Sequence, residues 1–264
     1  MERLIIIMPT HESYLDVAEL SERLYLKYWP LCPYKVIIST NPSKKKFAFF
    51  QYFENADNDE YIRRIYNAAN AYDAEYYLII GEDNFITYSI DEKLIRYTLD
   101  YLDCNNINYC RLIPPERKSK QLFFSKIRKN KPYGITGAGF ICSKEFINKE
   151  LTDNINGWQF ENEMLKRTLQ FSGKDYFNDC VASSQDILNS VHGIRHGMWI
   201  PSSYKLIKKI NPEFYFNVRP FAKENLSYYL SEKAGVIYKS IPTKTRFKIK
   251  KMLSRIGFEF ATEF

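Results

Sequence analysis

The sequence predicts an α/β fold, a mixed and mostly parallel sheet flanked by helices, on three observations. Leu4–Met8 is a continuous apolar run and Tyr34–Ser39 is a second, with a helical stripe between them, which is the order of a βαβ unit. Tyr76–Ile80 is a third run, aromatic and β-branched, that reads as a buried strand. It ends at Gly81 in two adjacent acids, Glu82 and Asp83, with Asn84 behind them. Open α/β sheets bind ligands at the carboxyl edge, where this strand would place its carboxylates. Carboxylates there suit a divalent cation carrying a nucleotide diphosphate, or proton transfer; an ordinary polar turn is the alternative.

The elements follow in order. Pro9 stops the first strand, and Pro9–Ser13 is a polar loop. Tyr14–Tyr28 carries apolar residues at Leu15, Ala18, Leu20, Leu24 and Leu26, an imperfect helical stripe that Trp29-Pro30 ends. Thr40-Asn41-Pro42 is the exit loop of the second strand. Asp59–Tyr72 reads as a helix leading into the central strand, and from it Arg63 could be aimed at a diphosphate; a surface arginine pair with Arg64 is the plainer reading. Ile90–Leu102 is a further helix and Tyr109–Ile113 a further strand. Residues 115–132 read as a basic loop around Phe123-Phe124. Tyr133–Ser143 sets three glycines in a strand-like run, a sign of close backbone approach, and it matches neither a P-loop nor GxGxxG. Asn156–Leu169 is a helix with Trp158, Phe160, Glu161 and Glu163 at its opening, where the helix dipole favours acids. His192 and His196 stand four apart, but Gly193 and Gly197 argue against a helix and against a metal pair there.

Composition bounds the function. Hydrophobic residues at 45% supply a sizeable core and exclude wholesale disorder, and aromatics at 16% suit sugar-stacking surfaces as well as packing. A net charge of +7 points to phosphate-bearing partners or an anionic membrane. Five scattered cysteines without CxxC spacing fit reduced thiols in a cytosolic protein. The apolar run at the N-terminus is too short for a signal peptide or a spanning helix. Between Lys239 and Phe264, seven basic residues stand against two acids, and Phe247, Ile249, Met252, Leu253, Ile256 and Phe260 fall near helical spacing. This predicts a basic amphipathic helix suited to an anionic membrane surface; a helix packed on the sheet is the alternative.

Three separated pieces resemble bacterial GT-A-type glycosyltransferases of capsule and other surface-polysaccharide pathways. Glu75–Phe85 resembles that family's strand ending in an acid-rich signature. Tyr133–Glu161 resembles its glycine-and-apolar strand followed by W-x-F-E, and His192–Trp199 a late G-x-x-x-G-x-W stretch. The resemblance covers roughly residues 1–205 and implies a Rossmann-like catalytic domain, with a donor half at about 1–113 and an acceptor half at about 114–205. Residues 206–264 would be a helical extension. By position, Pro9, Thr10 and His11 would line the nucleoside pocket, with Ser39 and Thr40 beside it. Glu82 and Asp83 would face the sugar diphosphate, directly or through Mn²⁺ or Mg²⁺. Trp158, Phe160 and Glu161 would face a saccharide acceptor, lipid-linked, at the inner face of the cell membrane. Glu161 is the candidate general base and Asp83 the rival carboxylate. The signature reads Glu-Asp-Asn where the family has Asp-x-Asp, so a metal does not follow from it, and basic residues could share the charge compensation. A sugar-phosphate nucleotidyltransferase is the second enzyme reading, lowered by the absence of a glycine-rich loop after the first strand. A non-catalytic membrane- or nucleic-acid-binding protein ranks lowest, since the lysine clusters lie in loops and the tail, and no nucleic-acid partner is expected.

Overall fold

The computed structural model describes residues 1–114, 123–127, 133–170, 177–214 and 219–222, with Thr245 and Met252 alone beyond them. The N-terminal half runs β1 (Glu2–Pro9), α1 (Leu15–Tyr28), β2 (Lys35–Thr40), β3 (Gln51–Glu54), α2 (Tyr61–Ala71) and β4 (Ala74–Ile79). Then come β5 (Asn84–Ile86), α3 (Glu92–Cys104), β6 (Tyr109–Arg111), β7 (Phe124–Lys126), β8 (Phe140–Ser143) and α4 (Lys144–Glu150). The chain continues with α5 (Gly157–Gln170), β9 (Cys180–Ser183), β10 (Ser190–His192), β11 (Ile194–Arg195), β12 (Met198–Trp199) and α6 (Pro201–Ile210). Most of the predicted tail helix, 239–264, lies outside the described residues, as does much of the predicted basic loop.

Eight strands form one sheet in the order β3-β2-β1-β4-β8-β6-β9-β7. β3, β2, β1 and β4 are parallel, as are β6 and β9; β8 and β7 run against their neighbours. The apolar runs of the sequence are continuous because each central strand is covered on both faces. Alternate residues of β1 take opposite sides: Leu4, Ile6 and Met8 pack with Ala18 and Tyr25 of α1 and Leu99 and Leu102 of α3. Ile5 and Ile7 pack instead with Ile62 and Ile65 of α2, Phe146 of α4 and Phe160 of α5. A third cluster joins Val17, Leu20 and Leu24 of α1 to Phe85, Ile194, Trp199, Ile207 and Phe214.

One strand expectation changes in the structure. Only Phe140–Ser143 of the three-glycine run is strand, antiparallel and inserted between β4 and β6. The residues before it form turns, with Gly139 at φ +72°. Close backbone approach does occur there, since a Cβ on Gly137 would stand 3.2 Å from the Gly157 carbonyl oxygen. The division expected after residue 205 falls inside α6, whose Ile207 is buried against α1.

Candidate functional site

Parallel pairing of β1, β2 and β4 brings their carboxyl ends to one edge, with Pro9 opposite Ser39 and Ile7 opposite Ile79. Beyond β4 the chain turns tightly through Gly81–Asn84, the Asn84 amide donating to the Gly81 carbonyl at 3.1 Å. A Cβ on Gly81 would meet Asn84 Nδ2 at 2.8 Å and Asp83 Oδ1 at 3.1 Å, so this tight turn leaves little room for a side chain. The acid pair is anchored from both flanks. Ser21 Oγ of α1 donates to the Glu82 carbonyl at 2.7 Å, and the Gly193 amide donates to the Asp83 carbonyl at 2.8 Å.

Glu82 and Asp83 have different surroundings. Burial and, second, the Asp83 charge push the Glu82 carboxyl up to about 8; the charge of Arg219 and a hydrogen bond from Thr10 offset part of this. Asp83 Oδ2 stands 3.3 Å from His192 Nδ1. His192 reaches it because β10 pairs antiparallel with β5, setting His192 opposite Asn84. Burial would lower the His192 pKa, but the Asp83 hydrogen bond and charge outweigh it, and the imidazole ends above its usual range. The two histidines separate: His196 and Gly197 form the two-residue turn between β11 and β12, both at positive φ.

Glu161 lies on the first turns of α5, and its Oε1 accepts the Gly137 amide at 2.9 Å. Burial raises its pKa, against the Gly137 bond and the Arg111 charge. Tyr61 is the first residue of α2. Its hydroxyl is held well above its ordinary pKa, by burial first and then by the charges of Glu82, Asp83 and Glu161. A side chain on Gly157 would touch the Tyr61 ring at 3.3 Å, so the glycine before Trp158 leaves room for that ring.

The remaining predicted residues fall into place unevenly. Thr10 is buried, its amide donating to the Ser39 carbonyl at 2.9 Å. His11 is exposed, and its Nδ1 accepts the Ser13 amide at 3.2 Å. Ser39 is committed inside the fold, donating to the Arg64 carbonyl at 2.9 Å and accepting from Asn55 Nδ2 at 2.8 Å. The Thr40 hydroxyl and Asn41 Oδ1 are buried without a hydrogen-bond partner among the described residues. Arg63 does not reach the sheet edge; its guanidinium lies 5.4 Å over the Tyr66 ring. Arg64 reaches the edge instead, donating to the Thr10 carbonyl and, at 2.7 Å, to that of Asp59. Phe160 is likewise corrected: it is fully buried in the core facing β1 and offers no surface to an acceptor, whereas Trp158 is 43% exposed. Sequence reasoning missed Tyr61 and Arg219. The aromatic opening of α2 carried a faint signal for Tyr61, and nothing local marked Arg219.

Among the described residues, no three His, Cys, Asp or Glu side chains converge as a cation site. Asp83 and His192 supply two groups, already paired with each other. This donor set does not by itself fit the Mn²⁺ or Mg²⁺ that the resemblance allows.

No protein-family model matches the chain, and no curated protein matches it. Among solved structures, a cytidylyltransferase from Leptospira borgpetersenii serovar Hardjo-bovis matches 100% of both chains at a TM-score of 0.50 and 11% identity. Glucosyl-3-phosphoglycerate synthase from Mycobacterium tuberculosis matches over 79% of each chain, at 0.45 and 10%. Residues 1–349 of TarS from S. aureus match over 69% of this chain and 58% of that one, at 0.44 and 11%. At such identities a likeness concerns fold alone, and the second and third are too distant to carry an argument. The fold is the mixed, mostly parallel α/β sheet flanked by helices that the sequence predicts, with the acid pair at the carboxyl edge of its central strand.

Proposed function

We propose that the chain is a glycosyltransferase that moves a sugar from a nucleotide-sugar donor to a saccharide acceptor. The observation that carries this reading is the Gly137–Ala138 turn, which touches both acid groups: the Ala138 side chain lies 3.9 Å from where a Gly81 Cβ would stand, beside Glu82 and Asp83, and the Gly137 amide donates to Glu161 at 2.9 Å. A sugar transfer needs this division of labour, with one wall for the donor phosphates and a separate carboxylate for the acceptor hydroxyl.

Glu161 is the better base. Asp83 is engaged with His192, whereas Glu161 commits Oε1 to the Gly137 amide and keeps Oε2 for a proton. Its raised pKa moves it toward the working range of a general base. In the proposed step the acceptor hydroxyl gives its proton to Glu161 while its oxygen bonds the anomeric carbon. The bond from that carbon to the nucleotide phosphate breaks, and the phosphate leaves with the electron pair. Charged groups fixed before the reaction stabilise such a leaving group most effectively. Pro9, Thr10 and His11, with Thr40, stand where the nucleoside would lie. The open Trp158 face would stack on an acceptor sugar.

A sugar-phosphate nucleotidyltransferase is the second reading, favoured by the full-length likeness to a cytidylyltransferase. Against it, the loop after β1 contains no glycine and closes as one turn of 3-10 helix at Glu12–Tyr14. Incubation with UDP-, GDP-, CMP- and dTDP-sugars, and separately with nucleoside triphosphates plus sugar phosphates, each with and without Mn²⁺, tests both. Release of nucleotide from a nucleotide-sugar supports the first reading. Pyrophosphate release from a triphosphate overturns it in favour of the second.

The acceptor is further proposed to be lipid-linked, with residues 239–264 attaching the protein to the inner membrane surface. The basic charge of that tail supports this. No helix among the described residues is long and apolar enough to cross a membrane. Truncation after residue 238 should abolish sedimentation with anionic vesicles while nucleotide binding persists; unaltered sedimentation would refute the attachment.

A further inference from the structure

Asp83 poses a problem for the proposed donor, because a carboxylate at this edge repels a diphosphate unless a cation stands with it. Beyond α6 the chain returns to this edge. Residues 219–222 run beside β12, with the Trp199 amide donating to the Pro220 carbonyl and the Ala222 amide to the Trp199 carbonyl, both at 2.8 Å. This course delivers Arg219 to the loop between β1 and α1. Its Nε donates to Asp16 Oδ2 at 2.8 Å, and its Nη2 donates to Asp16 Oδ1 at 2.5 Å and to the Ser13 carbonyl at 2.6 Å. The guanidinium lies 4.6 Å over the Tyr14 ring, and its side chain is 15% exposed.

We propose that Arg219 is the resident cation that holds the donor diphosphate at the Glu82–Asp83 edge. The inference rests on the transferase reading. Three features distinguish this arginine from a structural clamp. Its Nη1 makes no hydrogen bond among the described residues, so one edge of the planar fork is left for an anion. The helix that holds it also holds the edge, since α1 carries both Asp16 and Ser21, whose Oγ donates to the Glu82 carbonyl at 2.7 Å. Asp16, Ser13 and Tyr14 also fix the guanidinium in advance, so that little ordering remains for the ligand to impose. Asp16 is a positioning residue in this arrangement. The segment after α6 would then complete the site rather than extend it.

The test compares nucleoside diphosphates with their nucleosides. Calorimetric binding of UDP, GDP, CDP and dTDP, and of uridine, guanosine, cytidine and thymidine, is measured on the full chain and on Arg219→Gln. The variant should lose about 10- to 100-fold in affinity for the preferred diphosphate, the worth of one charge-assisted hydrogen bond, while the nucleoside binds as before. Arg219→Lys should recover part of the loss. Asp16→Asn breaks the same ion pair but keeps the cation, so it should still prefer diphosphate to nucleoside. It thereby separates anion binding from folding if Arg219→Gln melts early. Equal diphosphate affinity in the wild type and Arg219→Gln would overturn the role of Arg219 and leave the transferase reading standing. Failure of the wild type to bind any of the nucleotides would overturn both.

Discussion

His192 Nδ1 stands 3.3 Å from Asp83 Oδ2, and the amide of the next residue, Gly193, donates to the Asp83 carbonyl at 2.8 Å. Two residues more than a hundred positions away thus hold the second acid of the central turn by side chain and by backbone. The acid that a substrate would meet is therefore oriented by β10, outside the main sheet.

The pair has a titration signature. Without Asp83, burial and then the Arg195 charge would govern His192, so Asp83→Asn should lower the imidazole pKa from above its ordinary value to below it. Because the folded value is raised, the pair stabilises the fold fully below the ordinary histidine pKa of about 6.5 and loses that contribution as pH rises through the folded value. NMR titration of the His192 ring checks this; an unchanged midpoint in Asp83→Asn would count against the pairing.

Glu82 should make stability fall with pH for a related reason. Its folded pKa near 8 exceeds the ordinary glutamate value of about 4.3, so its contribution is complete below the latter and lost as pH rises through the former. Glu82→Gln cannot ionise and should melt above wild type at pH 9 but not at pH 5. Parallel melting curves at both pH values would contradict the raised pKa.

Glu161→Gln tests the base. The amide oxygen can still accept the Gly137 amide, so the fold should survive. Turnover should fall roughly 10²- to 10⁴-fold with little change in donor KM, as expected when a proton acceptor alone is removed. A comparable loss in Asp83→Asn, with Glu161→Gln active, would exchange their roles.

Gly193→Ala should destabilise the protein by about 1–3 kcal/mol in urea unfolding, as an overpacked core does. A Cβ there would lie 2.1 Å from the Phe85 ring, which stacks with Trp199 at 5.8 Å between ring centroids. Wild-type stability in this variant would mean that Phe85 repacks freely.

Arg64→Gln should cost about 1–3 kcal/mol, because the buried Thr10 carbonyl and the part-buried Asp59 carbonyl lose their donor. Arg63→Gln should stay within about 0.5 kcal/mol, as surface changes do. Equal effects would erase the distinction between the neighbours.

The sequence by itself determined the sheet's parallel half, its flanking helices and the two acids at the end of the central strand. Apolar runs, helical stripes and turn residues are local, and each element is written in its own few residues. Its third motif, His192–Trp199, was legible as a glycine-punctuated stretch, but not as the strand and hairpin that aim His192 at Asp83. Tertiary structure alone decided which side chains meet. The bond between Glu161 and Gly137 spans 24 positions and that between Arg219 and Asp16 spans 203. It also settled which of Arg63 and Arg64 turns inward and put Phe160 in the core, since helix rotation depends on the surface each helix must bury. The antiparallel insertion of β8 between β4 and β6 belongs with these, because a strand's neighbours are chosen by the packing of both sheet faces and leave no mark on the strand itself.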